Sequence, residues 1–297
     1  MNLFDIRKPS NQLAAFLLLF VVGFIIVTCL QFVTLVAFNI LPTELIQHAS
    51  ALRITNSISQ IFLLFLPAFL IGFWLKKANG EDYLEFNNTP SFKNLSLVLI
   101  FSLVSIPIMS FIITLNESMR LPECLHSLEQ WMQTQENLNN EITETMIKQT
   151  STYSLIMNIL ALALCPAICE EVLFRGLLMK WLYKVSHAKH LSVWLSAIIF
   201  SSIHLQFYGF FPRMLLGAAF GYIFLFTKSI WVNIFAHFCN NAMAIFAAFL
   251  YFSHYSQTHY SKIGNFDNAW YALLISFILT TITFIFIYKS NKNNIKI

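Results

Sequence analysis

The chain has 297 residues, of which 57% are hydrophobic and 16% aromatic but only 11% charged. Soluble domains carry roughly 25% charged residues, so this composition, with a mean hydropathy of +0.66, excludes a soluble enzyme, a disordered chain and a nucleic-acid binder. The net charge of +4 comes from 18 Lys and Arg against 14 Asp and Glu, and in such a chain the placement of charge tells more than its sum.

A membrane-spanning helix needs about 20 mostly apolar residues. Eight segments qualify: 13–40, 58–75, 95–115, 153–179, 191–209, 213–227, 230–252 and 269–288, the sixth short enough to be broken or tilted. The first is too long for a signal-peptide core and no small-residue cleavage site follows it, so it reads as a helix. The predicted fold class is all-α. It is a polytopic membrane bundle of about eight transmembrane helices, one integral membrane domain over 1–297.

Between the third and fourth spans, 116–150 breaks the apolar pattern. It carries Glu117, Glu123, Glu129, Glu136, Glu141 and Glu144, with Leu121, Leu125, Leu128, Trp131 and Met132 at helical spacing. This predicts one or two amphipathic helices on the outer surface, as a solvated cap or a substrate gate.

With the N-terminus inside, the inner segments hold Arg7, Lys8, Lys76, Lys77, Lys93, Lys180, Lys184, Lys189, Lys228, Lys289, Lys292 and Lys296. The outer ones hold only Arg53, Arg120, Lys148, Arg213 and Lys262. The positive-inside rule then puts both termini in the cytoplasm, in an inner or plasma membrane. Cys29, Cys124, Cys165, Cys169 and Cys239 form no CxxC and suggest no disulfide framework.

The chemistry lies in polar residues inside apolar spans. The fourth span holds the adjacent acids Glu170 and Glu171. A charge at a span's centre costs roughly 2.5–3.5 kcal/mol on insertion scales, so such residues face the bundle interior, pair, and mark functional sites. Arg175 follows Glu171 by one helical turn and can offset its charge, while Glu170 points about 100° away and stays free. Pro166, one turn before Glu170, removes a backbone bond and can open space beside the acids. Phe200 and His204 share a face of the fifth span, and His237 and Asn241 a face of the seventh. Gly217 and Gly221 form a GxxxG suited to close helix packing. His48, His126, His187, His190, His254 and His259 fall in predicted loops.

A carboxylate held away from bulk water binds a proton more strongly and serves as a base near neutrality. Glu170 can activate water in this way, with His204 orienting it or sharing its proton, and His237 and Asn241 can donate to a tetrahedral oxyanion. In a second scheme Glu170, His204 and His237 hold one zinc ion that lowers the pKa of a bound water. Without an HExxH the sequence leaves both schemes open.

The run Glu170-Glu171-Val-Leu-Phe-Arg175-Gly176, then Phe200-x-x-x-His204, then His237-x-x-x-Asn241 resembles the CPBP family, the type II CAAX prenyl endopeptidase and bacteriocin-processing intramembrane proteases. The resemblance covers a core of about 155–245. It implies an eight-helix bundle with the site inside. Glu170 would activate water, His204 would assist, and His237 and Asn241 would hold the oxyanion, with Glu171, Arg175 and Phe200 supporting them. It also implies a peptide or membrane-protein substrate within the lipid bilayer, lipid-modified at its C-terminus in the eukaryotic branch. Some bacterial members are linked to self-immunity, so a non-proteolytic scaffold is the second class. A cation or proton-coupled transporter is the third, ranked last because no repeat relates the two halves.

A rise of 1.5 Å per residue puts Glu170 roughly 25 Å from the outer start of its span and His237 roughly 10 Å from the inner start of its own, which agree. His204 comes out roughly 20 Å from the inner end, too deep to join them. The expected site therefore opens towards the cytoplasm, with His204 the discordant member.

Overall fold

The computed structural model describes residues 5–80, 82–259 and 270–292. No strand occurs among the described residues. In chain order the helices are α1 (Pro9–Phe38), α2 (Ala49–Asn79), α3 (Phe92–Val104), α4 (Ile106–Glu117), α5 (His126–Ile147), α6 (Thr152–Ser186), α7 (Lys189–Ser202), α8 (Phe210–Thr227), α9 (Ile230–Phe252) and α10 (Trp270–Ser290).

Among the described residues six stretches are long and apolar enough to cross a membrane: α1, α2, α6, Phe207–Thr227 with α8, α9 and α10. The pair α3 and α4, bent by 46°, makes a seventh. Pro107 causes the bend, because it supplies no N–H at the start of α4. The count falls short of the expected eight at 191–209. There α7 has 14 residues, about 21 Å of helix against a hydrocarbon core of about 30 Å. The Ser202 hydroxyl bonds back to the Ile198 carbonyl at 2.8 Å, and Leu205 turns left-handed at φ 53. His204 therefore lies in the turn beyond α7 rather than within a span.

Prolines also set the helix registers around the site. In α2 a wide π-type stretch, Gln60–Phe65, immediately precedes Leu66-Pro67. In α6 another, Ile159–Leu164, precedes Cys165-Pro166. A proline ring clashes with the carbonyl four residues back, and a widened turn relieves the clash. A third π-type stretch, Val172–Leu178, carries Arg175.

The chain alternates between two ends. At one, Trp181 Nε1 bonds the Pro9 carbonyl at 3.0 Å, Lys184 bonds the Arg7 carbonyl, and Lys180 pairs with Glu85 at 2.7 Å. There too Asn94 and Asn291 exchange side-chain bonds at 3.1 and 3.0 Å. At the other, Arg53 donates to Asn158 and to the Met146 carbonyl, both at 2.7 Å. Asn116 caps the turn after α7, giving a proton to the Phe207 carbonyl and taking one from the Phe211 N–H, at 3.1 and 3.0 Å. The 116–150 segment forms α5 after a single turn at Glu123–Leu125, and is fastened by Tyr208 to Glu129 and Gln133. Lys262, Lys296 and residue 269 of the last predicted span lie outside the described residues.

The central core joins Ala68, Ile71 and Leu75 of α2 to Val172 and Phe174 of α6, Ala197 of α7, Phe224 of α8 and Ile230 of α9. Outward faces stay apolar: Leu18 and Phe32 on α1 are each 66% exposed, which suits contact with lipid rather than water.

Small residues let membrane helices approach closely. A Cβ on Gly23 of α1 would lie 2.4 Å from the Phe62 carbonyl oxygen of α2. Backbone cannot yield as a side chain can, so Gly23→Ala is expected to push α1 off α2. The expected loss is about 1–3 kcal/mol, the usual cost of overpacking, read as a lower unfolding midpoint in detergent.

Candidate active site

The two acids of α6 diverge. Glu171 is fully buried and meets Arg175 Nη1 at 2.7 Å. The other arm of that guanidinium, Nη2, donates to the Gly217 carbonyl at 2.8 Å. The cation also lies 5.2 Å from the Phe200 ring centroid and 5.6 Å from that of Phe220. Glu171 and Arg175 thus form a desolvated, mutually neutralised pair held by two further helices. Glu170 makes no bond to Arg175. Its Oε1 accepts from Gln60 Nε2 at 3.2 Å, and its Oε2 lies 3.8 Å from His237 Nε2.

His237 stands between the carboxylates. Its Nδ1 is 2.8 Å from Glu171 Oε1. A carboxylate accepts, so Nδ1 carries the proton and Nε2 is directed at Glu170. His204 is fixed in the same sense: its Nδ1 lies 2.7 Å from the Phe200 carbonyl, which leaves Nε2 as its free nitrogen. Phe200 packs edge-on against Phe174, His204 and His237, with centroids at 5.0, 5.1 and 6.2 Å. One ring therefore orients both imidazoles.

Asn241 owes its position to Pro166. The proline offers no N–H to the Leu162 carbonyl four residues back, and that carbonyl accepts Asn241 Nδ2 at 3.4 Å. Among the described residues that nitrogen makes no second hydrogen bond. Glu170, His204, His237 and Asn241 all line a single cavity of about 530 Å³. Phe200 lines it as well, while Glu171 and Arg175 lie behind its wall. The depth conflict over His204 resolves because the turn after α7 folds back over the site instead of continuing up a span.

Two residues beyond the three motifs belong to this network. Asn233 Nδ2 donates to Glu171 Oε2 at 3.3 Å and to the Phe220 carbonyl at 2.7 Å. The sequence held its signal, since Asn233, His237 and Asn241 succeed one another at four-residue spacing on α9. Gln60, 110 positions from Glu170 on another helix, had none. A hydrogen bond to a charged group contributes about 1.5–3 kcal/mol. Gln60→Leu is therefore expected to slow turnover about tenfold or more and to displace its pH profile, while substrate KM changes little.

The cavity runs away from the lysine-rich end. Beyond Glu170, His204, His237 and Asn241 its lining continues through Gln206, Tyr208 and Arg213 to Glu117, Glu136 and Asn140, at the end covered by α5. The expected opening towards the cytoplasm combined the depth of Glu170 and His237 with the charge rule. The cavity leads towards α5, while Phe174, Phe224 and Ile230 are buried in the core on the side of the lysine-rich end.

A zinc site would need three side-chain ligands of suitable geometry. Among the described residues no group of three His, Cys, Asp or Glu side chains could hold a metal. No step below runs through a metal.

Residues 152–243 match the family model of the type II CAAX prenyl endopeptidase Rce1-like proteins. Over these residues, about a third of the chain, the protein is similar to that family. The matched stretch begins at the first residue of α6 and ends just after Asn241, so it spans every element that bears the three motifs. It supports a CAAX-type intramembrane protease on this multi-pass scaffold. No curated protein and no solved structure matches the chain.

Proposed function

We propose that this protein is an endopeptidase that hydrolyses peptide bonds at the membrane by a glutamate-activated water. The observation that carries this reading is the convergence of Glu170, His204, His237 and Asn241 on one cavity. Glu170 takes a proton from a water, and the hydroxyl oxygen attacks the scissile carbonyl carbon. His204 Nε2 accepts the water's other hydrogen bond and holds it in line. The oxyanion accepts a hydrogen bond from the Asn241 amide N–H, and His237, held through Nδ1 by Glu171, faces it on the same side of the cavity. Collapse of the tetrahedral intermediate breaks the C–N bond, and the proton on Glu170 passes to the leaving amine. Residues 155–245 form the catalytic core, and the lysine bias supports a cell-membrane location with both termini cytoplasmic.

The test is purified protein incubated with quenched peptides, with and without lipid-modified C-termini, together with an assay for bound metal. Cleavage of defined peptides by zinc-free protein is the expected result. Stoichiometric zinc that is lost in His204→Ala would replace the metal-free scheme. One oxyanion donor contributes about 2.7–4 kcal/mol, so Asn241→Ala is expected to lower kcat about 10²–10³-fold with little change in KM.

A further inference from the structure

A second cavity, of about 490 Å³, lies at the lysine-rich end and shares no lining residue with the catalytic one. It forms where α6 ends, α7 begins and α8 ends, so apolar helix gives way to polar chain around it. Lys180, Lys184, Lys189 and Lys228 line it, against Asp82 and Glu85. Both acids are engaged: Glu85 pairs with Lys180 at 2.7 Å, and Asp82 accepts the Asn87 N–H at 2.5 Å. Among the described residues Lys184, Lys189 and Lys228 form no ion pair. The lining therefore carries an excess of positive charge.

The walls of this cavity are fastened to one another. Ser229 Oγ donates to the Asn88 carbonyl and Asn88 Nδ2 to the Lys228 carbonyl, both at 2.6 Å, and Trp231 Nε1 donates to the Phe86 carbonyl at 2.9 Å. Two helices end on left-handed residues that line it, His187 at φ 54 and Lys228 at φ 52. Glycine is the usual residue at such a helix end, whereas both positions here present a nitrogen-bearing side chain. Burial lowers the Lys228 ammonium below its ordinary range; Glu85 offsets part of this, and the charge of Lys189 adds to it. The Tyr83 hydroxyl is buried and makes no hydrogen bond among the described residues. Burial also pushes this phenol up to about 12, so it keeps its proton at neutral pH and stays a donor. Beside these groups Tyr183 and Leu225 continue the lining as apolar surface.

We propose that this cavity binds the phosphate of an anionic membrane phospholipid between Lys189 and Lys228, with the Tyr83 hydroxyl as a further donor and the acyl chains along Tyr183 and Leu225. Basic pockets between membrane helices bind anionic headgroups in this way. A lining that passes from cationic to apolar suits a phosphodiester carried on hydrocarbon, whereas a free phosphate has no use for the apolar part. The site is independent of peptide cleavage, since none of these residues lines the catalytic cavity.

The full chain, stripped of lipid in neutral detergent, is titrated separately with phosphatidylglycerol, phosphatidylcholine, glycerol 3-phosphate and inorganic phosphate. Thermal unfolding and the lipid retained after size exclusion are read together. Saturating phosphatidylglycerol is expected to raise the midpoint by roughly 5–10 °C, and the other three should leave it unchanged. Lys189→Gln with Lys228→Gln should weaken phosphatidylglycerol binding roughly 30-fold, and Tyr83→Phe about tenfold. Lys76→Gln with Lys77→Gln makes the same charge change in the last turn of α2, outside the cavity, and should weaken it little. Equal protection by phosphatidylcholine overturns the proposal, as does phosphatidylglycerol binding that survives loss of Lys189 and Lys228. An equal loss in the Lys76 and Lys77 variant overturns it too, because net charge alone would then account for the effect. Protection by glycerol 3-phosphate or inorganic phosphate as strong as that by phosphatidylglycerol overturns the assignment to a lipid. If the double lysine variant fails to fold, Tyr83→Phe decides, since it removes one oxygen and no charge; undiminished binding there refutes the site.

Discussion

Glu170→Gln is expected to lower kcat/KM for peptide cleavage by at least about 10³-fold, within the range that a general base contributes, while leaving the fold intact. The glutamine is nearly isosteric with glutamate and can still accept the bond from Gln60 through its carbonyl oxygen. It cannot take a proton from water, and it removes the negative charge that faces His237 Nε2 at 3.8 Å. Burial of a neutral amide in place of a carboxylate relieves desolvation, so the unfolding midpoint should stay level or rise. Glu170→Asp keeps the charge but retracts it by one methylene, and should fall between wild type and Glu170→Gln. Steady-state cleavage of one quenched peptide, beside thermal unfolding in the same detergent, reads both effects. Cleavage at wild-type rate by Glu170→Gln would sink the mechanism. A cellular phenotype that survives the substitution would instead favour a scaffold or self-immunity role.

Arg175→Met should be the most damaging single change to the fold. Removing one partner of a buried ion pair costs about 3–5 kcal/mol, because the other charge is left uncompensated. Here that charge is Glu171, fully buried, one residue from a second carboxylate. The substitution also leaves the Gly217 carbonyl without its donor and takes the cation from the faces of Phe200 and Phe220. At about 2–4 °C per kcal/mol for a chain of this size class, the midpoint should fall by roughly 10 °C. Arg175→Lys is expected to rescue only part of this, because an ammonium cannot reach Glu171 and Gly217 at once with a planar fork. Adding Glu171→Gln to Arg175→Met removes the orphaned charge and should restore more than half the lost stability. Activity should not return with it, since His237 Nδ1 would then face a neutral amide instead of a carboxylate. Stability and turnover separate in that double variant, which marks Glu171 as a positioning residue for His237.

The motif residues were legible because each motif is local. Glu171 and Arg175 pair across one turn as their spacing requires, and Phe200 meets His204 in the same way. Asn233 could have been read from the same spacing on α9. Gln60 could not, since a contact between distant helices leaves no local pattern. Pro166 was read as a kink that opens space; the structure adds that the carbonyl it frees receives Asn241.

The sequence by itself determined an all-α membrane chain, the order of its apolar segments, and which stretches carry the three motifs. Those properties follow from hydrophobic run length and the 3.6-residue period, and both are fixed by neighbouring residues. Only the tertiary structure decided that α7 stops short, so that His204 folds back over Glu170 from a turn. It alone decided that the cavity leads towards α5 while Phe174, Phe224 and Ile230 close the other way. Those outcomes depend on wide turns at prolines and on how helices far apart in the chain fill space, and such packing is a property of the assembled bundle rather than of any one segment.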